Sequence, residues 1–273
     1  MPAARELWKR LEPIHAVTYF APESIAAAKA AGLKGFWMGY FGFRAAPMGP
    51  VDAGPVHATF ANFARPMVER SLPDAWSHAA PAHLIEVRAK AAADALRRLA
   101  PTSTLHLEAL NAELGDLVAA ADPLGRPLFA ANVGLDDRAA PVEQLWQLCT
   151  TLREHRGDGH VIALASHRVD GCEAHLLHAG AHGTPHDVLR DNRGFSDDEW
   201  RTAIDDLQSR GLMKEGELTH RGRDLVQAIE ALTDELAIEP LDTSIIDRLT
   251  PLANDIVDSG VVPFPNPMGL PKF

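Results

Sequence analysis

The stretch VEQLWQLCTTLREHRGDGHVIAL, residues 142–164, decides how the chain reads. Val142, Leu145, Cys149 and Leu152 repeat at steps of three and four, the spacing that lines one face of an α-helix. Ile162, Ala163 and Leu164 resume the apolar character. Between them stands Arg153-Glu154-His155-Arg156-Gly157-Asp158-Gly159-His160. Extending the apolar stripe carries Arg156, then Gly159 or His160, then Ala163 onto the inward face. Charge in that position is costly unless it is paired, hydrogen-bonded or serving a ligand. Two glycines this close weaken a helix by about 1 kcal/mol each and let a neighbour approach the backbone. The competing reading is an internal salt-bridge network around Arg156 and Asp158, or a short loop between two helices. Asp158 points to a different side of a helix from Arg156, so the expected partner of Arg156 is Glu12 or a bound anion.

Outward from this stretch the chain is alanine-rich and helical. Residues 5–11 and 23–31 read as helices, the second opened by Pro22 and Glu23 and closed by Gly32. Residues 35–42 form an aromatic-glycine run. Residues 56–70 read as one helix with Phe60, Phe63, Met67 and Val68 on its apolar face. Residues 83–99 and 104–121 read as two more. Residues 122–140 hold Pro123, Pro127, Gly125 and Gly134, the best boundary in the chain. Beyond it, residues 172–180, 185–192, 196–210, 219–237 and 244–259 read as helices, with a minimal hairpin at 212–218. The proline-rich tail, 261–273, reads as irregular. The expected fold is mainly α, as two packed helical lobes: residues 1–121, a connecting segment 122–140, and residues 141–273.

The end of the 172–237 segment carries Leu207-x-x-Arg210-Gly211-Leu212, then Gly216-Glu217-Leu218-Thr219-x-x-Gly222-Arg223-x-Leu225. This resembles the MarR-type winged-helix repressors. The whole chain also resembles an actinobacterial helix-turn-helix family, on residues 12–20, 35–49 and 152–164. These resemblances imply a winged-helix scaffold whose recognition helix is 196–210. That helix carries Asp197, Asp198, Glu199, Asp205 and Asp206 against Arg201 and Arg210, and the wing offers one basic residue, Lys214. Acidic side chains repel phosphates, so nucleic acid is an unfavoured partner and the scaffold reads as degenerate. The net charge of −11 points the same way, leaving only a local basic face at Arg88, Lys90, Arg97 and Arg98.

With 46% hydrophobic and 23% charged residues, the composition is that of a soluble globular protein. No apolar run reaches the roughly 18 residues of a membrane span. No signal-peptide pattern opens the chain, and Cys149 and Cys172 are isolated, so a cytoplasmic location is expected. The chain has no P-loop, GxGxxG or GxSxG. His175, His178, His182 and His186 are spaced as a metal stripe, but Gly180, Gly183 and Pro185 interrupt it, and no metal site is expected. No cofactor is evident. Haem against the 35–42 run, with His15 or His155 as axial ligand, is the remote variant.

What remains is a pocket. Glu12, His15, Thr18 and Tyr19 share a helical face, Tyr40 and Arg44 are four apart beside Trp37, and Arg153, Arg156 and His160 form a similar face. Polar faces meeting between two lobes make the usual small-molecule site, and the arginines suggest an anionic ligand. The leading expectation is a small-molecule-binding protein whose ligand contacts Glu12, His15, Tyr19, Trp37, Tyr40, Arg44, Arg153, Arg156 and His160. The first alternative is an enzyme in the same pocket, with His15, His155, Asp158 and His160 as candidate catalytic groups. The second is a MarR-like DNA-binding regulator.

Overall fold

The computed structural model describes residues 2–100, 106–240, 242–266 and 268–270. The fold is mainly α: fifteen α-helices and one two-stranded hairpin among the described residues. At its centre is α10 (Pro141–Ser166), which starts on a proline at its first turn and runs unbroken through Gly157 and Gly159. It packs against α1 (Ala3–Phe20), α7 (Pro81–Leu99), α8 (Leu107–Ala120), α9 (Pro127–Asn132) and α14 (His220–Leu236).

Three apolar clusters fill the molecule. The first joins α1, α7, α8 and α10 to α15 (Ser244–Asp258), with Leu7, Leu11, Leu114, Leu145, Trp146 and Leu249 buried in it. Residues from before and after 122–140 share it. The second is built on α2 (Pro22–Ala30), α3 (Gly35–Ala45), α4 (Ala53–Phe60), α5 (Arg65–Glu69) and α6 (Ala75–His78), around Phe41, Phe60 and Phe63. The third holds the end of α10 with α11 (Gly171–His182), α12 (His186–Arg193), α13 (Asp197–Ser209), the hairpin and α14.

The expected 56–70 helix is two helices. Pro66 has no N–H to give and is favoured in a first helical turn, where α5 starts around it, and Ala61 ends α4 with φ of 56°. Conversely, α1 runs on through Pro13 to Phe20. Of the helix expected at 104–121, residues 104 and 105 lie outside the described residues. So do 267 and 271–273 of the tail.

The third cluster is locally well specified. Ser196 and Glu199 cap α13 reciprocally, and Asp170 and Glu173 do the same for α11. Strands β1 (Met213–Lys214) and β2 (Glu217–Leu218) pair antiparallel around Glu215 and Gly216, both at positive φ as a tight hairpin turn requires. Thr219 accepts the Gly222 N–H at 3.1 Å and caps α14. Gly222 has a steric reason too: a Cβ there would stand 2.2 Å from the Leu212 carbonyl oxygen. At Gly171 a Cβ would meet the Ala61 carbonyl oxygen at 2.1 Å, so glycine is what lets α11 sit against the end of α4.

Candidate functional site

A cavity of about 810 Å³ opens where α1, α3 and α4 face α10, α11 and α14. Each helix contributes one face. On α10 the lining residues are Arg153, Arg156, Gly157, His160, Val161 and Leu164, all within an arc of about 140° at 100° per residue. From α1 come Arg5, Trp8, Lys9, Glu12 and Tyr19. From α3 come Tyr40 and Arg44, and from α4 Phe60. The far wall is His175 and His178 of α11, Arg193 at the end of α12, and Arg223, Glu230 and Asp234 of α14. Among the described residues seven lining side chains are Lys or Arg and three are carboxylates, in a chain whose net charge is −11.

The charges are ordered into two groups. In the first, Glu154 is buried just behind the wall. Its carboxylate accepts from Arg44 Nε at 3.0 Å, Arg44 Nη2 at 2.9 Å and Arg153 Nη1 at 2.8 Å. Glu12 accepts from Arg153 Nε at 2.9 Å, Arg153 Nη2 at 3.2 Å and Trp8 Nε1 at 2.8 Å. Burial alone would raise both carboxyl pKa values. Arg153 reverses this at Glu12, and Arg153 with Arg44 does so at Glu154, so both stay ionised well below the usual carboxylate range. The Arg44 guanidinium lies 4.0 Å from the centre of the Phe60 ring and donates to the Tyr40 hydroxyl at 3.1 Å.

In the second group Asp234 is held between Arg5 Nη2 at 2.6 Å and Arg156 Nη2 at 3.0 Å. Glu230 is within 3.4 Å of the first and 3.5 Å of the second. The Arg156 guanidinium lies 4.6 Å from the Trp8 ring centre. Arg44 and Arg153 give most of their N–H groups to carboxylates, whereas the Nε atoms of Arg5 and Arg156 are buried without an acceptor. His160 meets Thr233 Oγ1 through Nδ1 at 3.0 Å. Arg193 lies 4.3 Å from the centre of the Phe63 ring.

Glu12, Tyr19, Tyr40, Arg44, Arg153, Arg156 and His160 thus share one wall, as their spacing suggested. Four expected members do not line it. His15 lies behind Tyr19: Nε2 bonds the Tyr19 hydroxyl at 2.8 Å and Nδ1 bonds Thr150 Oγ1 at 3.0 Å. Burial pushes its pKa down to about 3, so the ring is neutral. Both ring nitrogens are engaged, which leaves none for a haem iron. Trp37 belongs to the aromatic cluster with Phe41 and Phe63. His155 faces the other way on α10, against the edge of Phe129, and Asp158 accepts the Leu128 and Phe129 N–H groups at 2.9 Å each, capping α9. Burial lowers the His155 pKa to about 4 and raises that of Asp158 to about 7, the second against the pull of those N–H donors. The expected pairing of Arg156 with Glu12 is also corrected: Glu12 takes Arg153, and Arg156 takes Asp234.

The glycines of the 35–42 run serve helix packing. A Cβ on Gly39 would meet Ala28 at 3.2 Å, and one on Gly42 would meet Leu33 at 3.1 Å. The histidine stripe is broken at Gly183, where α11 ends in a left-handed turn, and His186 starts α12. Among the described residues no group of three or more His, Cys, Asp or Glu is placed to hold a metal. The basic face on α7 dissolves as well. Arg88 is buried, donating to Phe43 O at 2.8 Å and Asn132 Oδ1 at 2.9 Å, while Arg97 and Arg98 pair with Asp94 and Glu23.

Arg5, Trp8, Glu154, Arg193, Glu230 and Asp234 were not legible as site residues. A signal existed for some. Arg5, Trp8 and Glu12 repeat at steps of three and four on the face of α1, and Glu230 and Asp234 are four apart on α14.

The model of a helix-turn-helix family matches residues 4–263, nearly the whole chain, and the protein belongs to that family. Neither a curated protein nor a solved structure matches it. No helix among the described residues is long and apolar enough to cross a membrane.

Proposed function

We propose that this helix-turn-helix family member binds a small anionic molecule, most simply an organic carboxylate, in the cavity between α1, α3 and α4 on one side and α11 and α14 on the other. The observation that carries the reading is the excess of Lys and Arg over carboxylates on the wall of a half-open, aromatic-lined space in an acidic chain. A volume of about 810 Å³ suits a molecule of drug size. Arg5 and Arg156, which line the cavity on either side of Asp234, are the anchors this reading assigns, and Trp8 offers the flat surface beside them.

The proposal treats residues 1–121 and 141–273 as the two walls, with residues 171–236 as a MarR-like winged-helix scaffold, in a cytoplasmic protein whose two cysteines are free and buried. His15 and His155, the proton-transfer groups of an enzymatic reading, stand outside the lining, which weighs against that reading. Native mass spectrometry of the gently purified protein tests the proposal. A single anionic adduct, lost on unfolding and depleted in Arg156→Gln, supports it. A bare chain that no organic acid stabilises contradicts it.

A second reading, DNA binding through α13, is favoured by the family. Surface charge opposes it. Arg201 is paired with Asp198 at 2.9 Å, and Arg190 with Asp197 at 2.7 Å, so cations near this helix are held by its own acids.

A further inference from the structure

A second cavity, of about 460 Å³, lies on the other side of Tyr19 and Tyr40, between the end of α1, α2 and α3. The two tyrosine rings, 4.6 Å apart between centres, belong to both walls. Their hydroxyls are committed to His15 and Arg44. The rest of this second lining is apolar apart from Lys29, Lys34 and two hydroxyls: Ile25, Ala28, Leu33, Phe36, Gly39 and Phe43 supply most of it. Ile25 and Phe36 are 49% and 41% exposed, two of the four large apolar side chains on the described surface. Lys34 is turned toward Asp74, at 3.7 Å.

The two hydroxyls define the ligand. Thr18 and Ser24 line the cavity, are 6% and 1% exposed, and have hydroxyl oxygens with no hydrogen-bond partner. Leaving a buried hydroxyl unsatisfied costs about 1–3 kcal/mol, so two in one small apolar space need an explanation. A guest with one hydroxyl or carbonyl oxygen satisfies them. A carboxylate does not suit the same place, because neutral hydroxyls compensate a buried charge poorly.

We propose that the cavity between α1, α2 and α3 is a second ligand site, which takes an uncharged aromatic molecule whose single hydroxyl or ketone oxygen bonds Thr18 and Ser24. The site is independent of the arginine-lined cavity. Its apolar rim gives such a molecule an entry from solvent.

Equilibrium dialysis with naphthalene, 1-naphthol and 1-naphthoate tests this on the full chain. The expected result is saturable binding of 1-naphthol, weaker binding of 1-naphthoate once Arg156→Gln has disabled the arginine-lined cavity, and a loss of about tenfold in 1-naphthol affinity in Thr18→Val/Ser24→Ala with naphthalene affinity unchanged. The substitutions remove unpartnered groups, so the urea midpoint should hold or rise. If the double variant does not fold, the single variants carry the same comparison. Arg156→Gln, which disables the other cavity, should leave 1-naphthol binding intact. Benzophenone, a photoreactive aromatic ketone, should cross-link within residues 18–43. No saturable binding, tighter binding of 1-naphthoate than of 1-naphthol in Arg156→Gln, equal losses for naphthol and naphthalene, or cross-links elsewhere would overturn the proposal.

Discussion

Acidification from pH 7 to pH 5 should destabilise this protein markedly. His15, His155 and His175 are buried, and burial lowers their pKa values to about 3, about 4 and about 3. An unfolded chain binds the proton near pH 6.5. Because the folded values are depressed, each histidine contributes stability that is full above about pH 6.5 and is lost as pH falls toward the folded value. Between pH 7 and pH 5 the loss is about 1.9 kcal/mol per histidine, or about 5–6 kcal/mol for three. Asp158 acts in the opposite sense. Burial raises its pKa to about 7, so its protonation over the same interval recovers about 2 kcal/mol. Glu12 and Glu154 stay ionised throughout and matter only below about pH 4.5. For these four groups the net loss is about 3–4 kcal/mol, a large share of the roughly 5–15 kcal/mol of a typical fold, and His178, whose pKa burial also lowers to about 4, adds to it. Urea denaturation followed by tryptophan fluorescence, at both pH values and constant ionic strength, measures it. His175→Gln, which replaces a ring donating to the Asn62 carbonyl at 3.0 Å, should make the loss smaller by about 2 kcal/mol. Equal stability at pH 7 and pH 5, or an undiminished loss in His175→Gln, would refute the reasoning.

Three further outcomes are expected. Glu154→Gln leaves Arg44 and Arg153 without their shared carboxylate, and urea denaturation should register a loss of about 3–5 kcal/mol. Gly222→Ala presses a methyl group onto the Leu212 carbonyl and should lower stability by about 1–3 kcal/mol, read from the same denaturation curves. Titration of duplex DNA at about 150 mM salt should give no saturable gel shift, and Arg201→Gln should not change that; nanomolar binding lost in Arg201→Gln would reverse the charge argument.

The fold was legible where local chemistry decides it. The apolar stripe of Val142, Leu145, Cys149 and Leu152 is α10, and Ser196, Gly211 and Thr219 mark helix ends as their side chains and backbone freedom require. The 56–70 region was misread because its apolar spacing is helical while Ala61 ends α4 and α5 starts around Pro66. The site was half legible for a geometric reason. Eight consecutive residues on a helix turn through about two revolutions, so the 153–160 run faces every direction. Arg153, Arg156 and His160 fall on one side, and His155 and Asp158 on the opposite one. Periodicity selects the face but not the partner across it. That Asp234 meets Arg156 depends on how α14 crosses α10, which no local pattern encodes.

The most direct test of the anionic-ligand cavity compares molecules that differ only in charge. Thermal unfolding is followed with phenylacetate and with phenylacetamide, and with a short series of other acids and their amides, for the wild type and Arg5→Gln/Arg156→Gln. The expected result is a concentration-dependent rise in midpoint with at least one acid, little or none with its amide, and no rise in the double variant. Equal effects of acid and amide, or a rise that survives loss of both arginines, would contradict it.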